Sequence, residues 1–471
     1  MKIRLLPYVA AVLAVISIMT SCLDSEVEQI TYVPESSITS FSVGTLYIDR
    51  TGKDRNGNDS AYVDTIDCSD YPFTIDQMRR TIENKDSFPV GTHTDKVVTQ
   101  MTYDGGVAAY RPTGSQNDTV WTSTDSIDFT TPLQFRVYTT SGATGKAYTV
   151  TLNVHKVEPD TITWKSYENL TFEGGVRLTR QNTVYADGKL YTFGYNGGTP
   201  VVQRTEIGSD VPSEWTSVPL TTGLTPYSAI AWLDKIYFLN DTGNLYTLDP
   251  ATETVAPATE TAGTFNRLLA ADNSLRTLYA VKDGKTGTLS ADGTWTDDAE
   301  QSPELAACGQ RVSSFTEPLE YNSAITRTTL LLNSMSGDTI ATAYQRLSSE
   351  NGWMRIKQGE PLPDMAGISM IRYDGQLYAF GGPSTSADSE IKTAFLNFYC
   401  SGTSGVEWEK VTECMYFPET FAAYYTPDEG SYSAEVNPPT EFTRGNFIWI
   451  VWENGSISRG RINRLGFNPK W

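Results

Sequence analysis

The sequence predicts an all-β chain, a β-sandwich of roughly 130 residues followed by a six-bladed β-propeller. Three observations carry this. Short stretches in the first third alternate apolar and polar residues with a period of two. A turn-and-strand motif recurs six times after residue 160. Tryptophans punctuate the same region at 164, 215, 295, 353, 408 and 471. A length of 471 residues suits two domains of this kind.

The N-terminus comes first in the chain. Lys2 and Arg4 precede a mostly apolar run from Leu5 to Met19, too short to span a bilayer comfortably, which reads as a secretory signal. Ile18-Met19-Thr20-Ser21-Cys22 resembles a bacterial lipobox, in which small residues precede a Cys that becomes the lipidated N-terminus; Met19 stands where Leu is usual. Asp24-Ser25-Glu26 resembles the surface-export signal of Bacteroides-type lipoproteins. The expected plan is a signal peptide over 1–21, a tether over 22–30, the sandwich over 31–158 and the propeller over 161–471. Loss of residues 1–21 removes two basic and no acidic residues, so a net charge of −20 becomes −22. Anionic head groups repel such a body, and the acyl chains on Cys22 would do the tethering at the outer membrane.

Composition excludes several functions. With 36 basic against 56 acidic residues, nucleic acid is a poor partner, because phosphate affinity needs clustered Lys and Arg. Both histidines, His93 and His155, precede Trp164, so His-based chemistry has no residue to run on in the second domain. No cofactor or metal is expected. Cys68, Cys308, Cys400 and Cys414 show no CxxC spacing and read first as free thiols in strands, although an oxidising compartment permits a Cys400–Cys414 disulfide.

In the first domain, Tyr148 to Val154 alternates strictly, with Tyr148, Val150, Leu152 and Val154 on one face, and Leu133 to Tyr138 alternates likewise. Residues 141–145 between them read as a hairpin loop. Val43 to Ile48 is a further strand, and Ile75 to Asn84 the one short helix. Asp54 to Asp59 hints at a calcium loop, but Asp59 stands where the EF-hand pattern wants Gly, so an Asn-Gly hairpin tip is the better reading. Asp86-Ser87-Phe88-Pro89-Val90-Gly91-Thr92, residues 127–132 and the Tyr148–Val154 strand resemble the Ig-like N-terminal domain of Bacteroides-type surface lipoproteins. That resemblance implies a spacer role. Residues 157–160 are the expected linker.

In the second domain the motif is clearest in Tyr185-Ala186-Asp187-Gly188-Lys189-Leu190-Tyr191-Thr192-Phe193-Gly194 and in residues 373–382, from Tyr373 through Asp374-Gly375 to Gly382. Weaker copies start at Trp232, Ala271, Thr329 and Phe447. An Asp-Gly turn favours positive φ and joins antiparallel strands; Leu-Tyr-x-Phe continues as a strand; a later Trp closes the unit on its outer strand. Between Trp215 and Trp295 two units fit, with one Trp lost near Val255. These residues resemble the kelch repeat. The segment around Trp164 is expected to supply the outer strand of the last blade, pairing the two ends of the domain, with Trp471 beyond that closure. Taken whole, the chain resembles a family of Bacteroides-type outer-membrane lipoproteins with an Ig-like domain and a kelch-like propeller.

Propellers bind ligands at the channel mouth, where the loops before the inner strands would supply Arg177, Arg180, Tyr227, Arg267, Glu317 and Met365. Converging Arg would suit a carboxylate or an acidic sugar, and the competing reading pairs them locally with Asp and Glu. Asp364, Glu317 and Glu419 are the acidic candidates near the channel; a glycosidase would need two carboxyls about 5–9.5 Å apart. Boxes at 401–408 and 290–295 echo sialidase repeats and read as structural hairpins. The expected function is a monomeric, lipid-anchored protein holding a glycan or protein ligand at the propeller mouth without catalysis. The alternatives are a carbohydrate-active enzyme and a structural subunit of a surface complex.

Overall fold

The structure, a computed structural model, describes residues 36–467 apart from 54–57, 209–210, 259–262, 310, 336–338, 366, 382–397, 419–431 and 438–445. Cys22 and the signal segment, the centre of the supposed calcium loop, Glu419 and Trp471 therefore lie outside the described residues. The chain divides into two compact units, one ending at Glu158 and one starting at Pro159. Among the described residues no helix is long and apolar enough to cross a membrane.

The first unit holds a six-stranded sheet in the order Phe73–Asp76, Thr81–Asn84, Tyr148–Thr151, Leu133–Tyr138, Val107–Arg111, Thr119–Val120. A three-stranded sheet runs Ile38–Val43, Val97–Tyr103, Ser126–Ile127, and a ribbon pairs Thr45–Lys53 with Asp59–Asp67. Ile38, Phe41 and Val43 from one sheet share a core with Ile82, Phe135, Tyr148 and Val150 from the other. Alternation along each strand sends its apolar set to this common face. The rings of Phe41 and Phe135 meet edge to face at 6.1 Å across it.

Two expectations fail here. The segment 75–84 is no helix; Phe73–Asp76 and Thr81–Asn84 form an antiparallel hairpin. The Asp76 side chain accepts the Met78 and Arg79 amides at 2.9 and 2.8 Å, and Arg80 sits at φ 56, so the backbone turns back before a helix can propagate. The β-branched Thr74, Ile75, Thr81 and Ile82 fit a pleated surface better than a helix. The strand expected over 43–48 is two strands that meet at Gly44, whose amide bonds the Val98 carbonyl at 3.1 Å.

Among its described residues the second unit forms six antiparallel four-stranded sheets. Their first strands are Thr179–Ala186, Ile230–Trp232, Phe265–Asp272, Val312–Leu319, Ser369–Tyr373 and Tyr432–Val436. Each first strand packs beside the first strand of the next sheet, and the sixth packs beside the first. Six apolar clusters fill the gaps between successive sheets. Tyr191 and Phe193 meet Ile236 and Phe238 between the first and second, and Leu190 and Trp215 meet Trp449 and Val451 between the first and sixth. A sheet that is apolar on both faces needs a neighbour on each side, and a ring supplies one to every sheet.

The turns follow the sequence. Asp187 and Gly188 stand at φ 49 and 73, Asp374 and Gly375 at φ 48 and 77, as a two-residue turn between tightly paired strands demands. In the second sheet Leu233 takes the same left-handed place at φ 57, and its amide bonds Asn273 Oδ1 of the third sheet at 2.7 Å, so a neighbour supports a turn that lacks glycine. Val255 lies in the outer strand Thr254–Pro257, where the missing Trp belonged.

The ends of the unit pair as expected. Ile162–Tyr167 lies antiparallel to Ile457–Ile462, with Trp164 opposite Gly460. A Cβ at Gly460 would stand 2.6 Å from the Trp164 ring, so glycine there lets the indole lie flat on the neighbouring strand. Trp164 Nε1 also donates to the Tyr416 carbonyl at 2.6 Å. All four described cysteines are free thiols, so Cys400 and Cys414 form no disulfide.

Candidate ligand-binding cavity

The six first strands surround a cavity of about 510 Å³ to which each contributes wall residues. Its charged and polar side chains include Asn182, Asp272, Arg311, Glu317, Arg372 and Glu435.

Glu317 is a fixed node. Arg327 Nη2 lies 2.6 Å from its carboxylate, Arg372 Nη2 3.1 Å, and Ser404 Oγ donates at 2.9 Å. Burial pushes the carboxyl up, but the Arg327 and Ser404 hydrogen bonds and the two guanidinium charges outweigh it, and the group is held below its ordinary value. This ionised carboxylate bolts the fourth sheet to the fifth. Asp272 is equally committed, accepting the Leu275 amide at 3.0 Å and the Thr326 hydroxyl.

Arg311 differs. It immediately precedes the fourth first strand and is only 7% exposed. Its guanidinium stands 5.8 Å from the Tyr227 ring, and its Nη1 is buried without a hydrogen-bond partner. The nearby Glu435 accepts the Val436 amide at 2.9 Å and the Tyr185 amide at 3.4 Å. Glu435 keeps some exposed surface toward the cavity, yet it lies deep among the strands. Burial pushes its carboxyl up to about 7, an effect only partly offset by those amides and by the Arg311 charge.

A raised carboxyl pKa has a defined sign. The native state binds the proton more tightly than the unfolded chain, so the group's contribution to stability is fully present below pH 4.5 and is lost as pH rises through about 7. Glu435→Gln is therefore expected to lower the melting temperature less at pH 8 than at pH 5, or to raise it at pH 8. Thermal melts across pH 4–9 check this; parallel curves for the two proteins would contradict it.

The residues expected at the mouth scatter. Tyr227 lies in the turn Pro226–Ser228 and borders the cavity. Glu317 also borders it, but from inside the strand Val312–Leu319 rather than from the preceding loop. Arg177 is 65% exposed and pairs with Glu453. Arg180 is exposed at φ 50. Arg267 is half-buried, and the third-sheet wall is made by Leu268, Leu269, Ala271 and Asp272 instead. The expected convergence of Arg177, Arg180 and Arg267 thus does not occur at this cavity. Met365 is a core residue, and Asp364 is occupied by the Asn333 side chain at 2.7 Å and the Ser334 amide at 3.0 Å.

The cavity's own cations, Arg311 and Arg372, and its acid Glu435 were not among the expected residues. The first turn of the fourth sheet is Glu320-Tyr321 where the copies at 185 and 373 have Asp-Gly, so nothing in the sequence marks the strand Val312–Leu319 or Arg311 just ahead of it. Arg372 stood within reach: it alternates with Met370 just before the Asp374-Gly375 turn. Glu435 lies on a five-residue strand with no motif. Among the described residues no cluster of three or more His, Cys, Asp or Glu side chains is placed to hold a metal ion.

A ring of four-stranded sheets around a polar cavity defines a β-propeller protein. The chain belongs to the family described as the DUF6242 beta propeller domain, matched over residues 158–470, with the DUF6242 N-terminal domain matched over residues 41–152. No curated protein matches it. Solved structures similar to it include an auxiliary nutrient binding protein from Bacteroides thetaiotaomicron, at 9% identity and TM-score 0.37 over 78% of this chain and 94% of that one. An oligogalacturonate lyase in complex with manganese aligns at 11% identity and TM-score 0.31 over 64% of this chain and 96% of that one. YCF48 bound to D1 peptide aligns at 12% identity and TM-score 0.28 over 70% and 86%. Likenesses of this degree assign no function.

Proposed function

We propose that this chain is a lipid-anchored protein of the outer membrane, displayed at the cell surface, whose six-bladed, kelch-like propeller binds a glycan or protein-derived ligand in its central cavity without turning it over. An Ig-like sandwich serves as its spacer. The observation that carries the reading is the cavity itself: about 510 Å³, bordered by all six first strands and lined in part by polar residues. The lipobox ending at Cys22 supports the anchoring. Glu317, clamped by two arginines, is poorly disposed to exchange protons.

The test uses the full chain in mild detergent on a glycan array, with pull-down of surface proteins beside it. A small set of ligands bound and recovered intact is the expected result; an array and a pull-down both without signal would contradict it. In cell fractionation, Cys22→Ala is expected to move the chain from the membrane to the soluble fraction, and an unchanged membrane signal would count against the anchor.

A second reading, a carbohydrate-active enzyme, rests on one observation. Glu435, raised to about 7, and the ionised Glu317 share the cavity, and such divergence is how acid and base roles are divided between two carboxyls. Cleavage of an array ligand that stops in both Glu435→Gln and Glu317→Gln would favour it.

A further inference from the structure

We infer that the propeller cavity recognises a carboxylate-bearing sugar, and that Arg311 is the residue that receives the carboxylate. This rests on the reading of the cavity as a ligand site and adds the chemical class of the ligand.

The starting point is an unbalanced group. A buried guanidinium normally has its five N–H donors occupied, because each lost bond to water must be replaced. Arg311 is 7% exposed, borders the cavity, and leaves Nη1 buried without an acceptor. Among the described residues it makes no ion pair. Tyr227 beside it offers a π face that tolerates the cation but accepts no in-plane hydrogen bond. The other arginine of the wall is already matched, since Arg372 holds Glu317 together with Arg327. Asp272 is spent on Thr326 and the Leu275 amide.

Glu435 is the remaining acid, and it does not neutralise Arg311. Its oxygens are turned to the Val436 and Tyr185 amides rather than to the guanidinium. Arg311 is therefore a desolvated cation that borders the cavity with no acid paired to it. A planar guanidinium with a vacant donor edge matches a carboxylate, which it can hold through two parallel hydrogen bonds.

The rest of the wall narrows the ligand further. The cavity is far larger than one carboxylate, and Asn182, Ser313, Thr316 and Thr326 border it. These groups donate within the wall, Asn182 to the Ala229 carbonyl, Ser313 to the Ile368 carbonyl and Thr326 to Asp272, so their oxygens remain to accept from a polyhydroxylated body, which suits such a wall better than an aliphatic chain. A sugar acid satisfies both halves of the site.

The experiment is isothermal titration of the full chain with glucuronate, galacturonate and N-acetylneuraminate, each as free acid and as methyl ester, with glucose and galactose as neutral probes. At least one acid is expected to bind on the order of tenfold or more tighter than its ester, since a hydrogen bond to a charged partner is replaced by a neutral one. Arg311→Gln is expected to weaken the acid far more than the ester and so to erase most of that difference, and Arg311→Lys to restore part of it. The acid–ester comparison on the unaltered chain decides the matter should Arg311→Gln fail to fold. Equal affinity of every acid and its ester, or an acid preference untouched in a folded Arg311→Gln, overturns the inference. Binding of the neutral sugars alone would overturn it while leaving the cavity a ligand site. If neither acids nor neutral sugars bind, the inference falls; if the glycan array and the pull-down are silent as well, both readings fall.

Discussion

Asp298→Ala is expected to destabilise the second unit by about 3–5 kcal/mol, the cost of stripping one partner from a buried ion pair. Arg346 Nη1 lies 2.6 Å from Asp298 Oδ1, with the two side chains 6% and 2% exposed. Asp298 follows the outer strand of the third sheet, and Arg346 lies in the third strand of the fourth, so the pair spans a joint of the ring. The Arg346 guanidinium also stands over the Tyr279 and Trp353 rings, at 5.0 and 5.9 Å, which leaves it no route to water once its carboxylate is gone. A double change, Asp298→Ala with Arg346→Met, is expected to recover much of the loss, because no charge is then left buried alone. Urea melts of the three proteins check this. Equal damage from the single and double variants would show that the pair acts by packing rather than by charge.

Trp449→Ala is expected to cost a similar amount, about 3–5 kcal/mol, by leaving a large cavity at the joint between sixth and first sheets. The indole is fully buried in a cluster with Leu190, Trp215 and Val451. Its Nε1 donates to Asn437 Oδ1 at 2.9 Å, and the same oxygen accepts the Phe447 amide at 2.9 Å. Trp215 reinforces the joint by donating to the Gly455 carbonyl at 2.6 Å. The two variants lie at different joints, yet a closed ring has no independent part. Both are therefore expected to lower one cooperative transition of the second unit, without splitting it. A separate early step in Trp449→Ala alone would mean that the sheets stack in an open series, not a ring.

Much of this fold was legible because its signals are local. An Asp-Gly pair between alternating strands leaves few backbone solutions, and the copies at 185 and 373 became hairpins with the expected turn. The closing strand around Trp164 could be anticipated because that segment precedes the first full copy of the motif, whereas nothing in the sequence singles out its partner Gly460. Illegible parts depended on what surrounds a residue. Leu233 turns left-handed because Asn273 of the next sheet receives its amide, and no window around Leu233 contains that fact. The helix expected at 75–84 failed because the Asp76 side chain competes for the amides a helix would need.

The site was less legible than the fold, and for a related reason. An arginine count finds cations, but pairing decides which of them is available. Arg177 is neutralised by Glu453, which lies in the sixth sheet's turn region, far away in sequence. Arg311 stays open because the acids nearest to it are turned elsewhere. Such differences exist only once six strands have been brought round one cavity.

The claim that this cavity is the ligand site is tested most directly by a crystal structure of the full chain with the tightest ligand from the array. The account predicts ligand density enclosed by the six first strands, with a carboxylate against Arg311. Density on the outer strands or on the first unit, with the cavity holding only solvent, would contradict it.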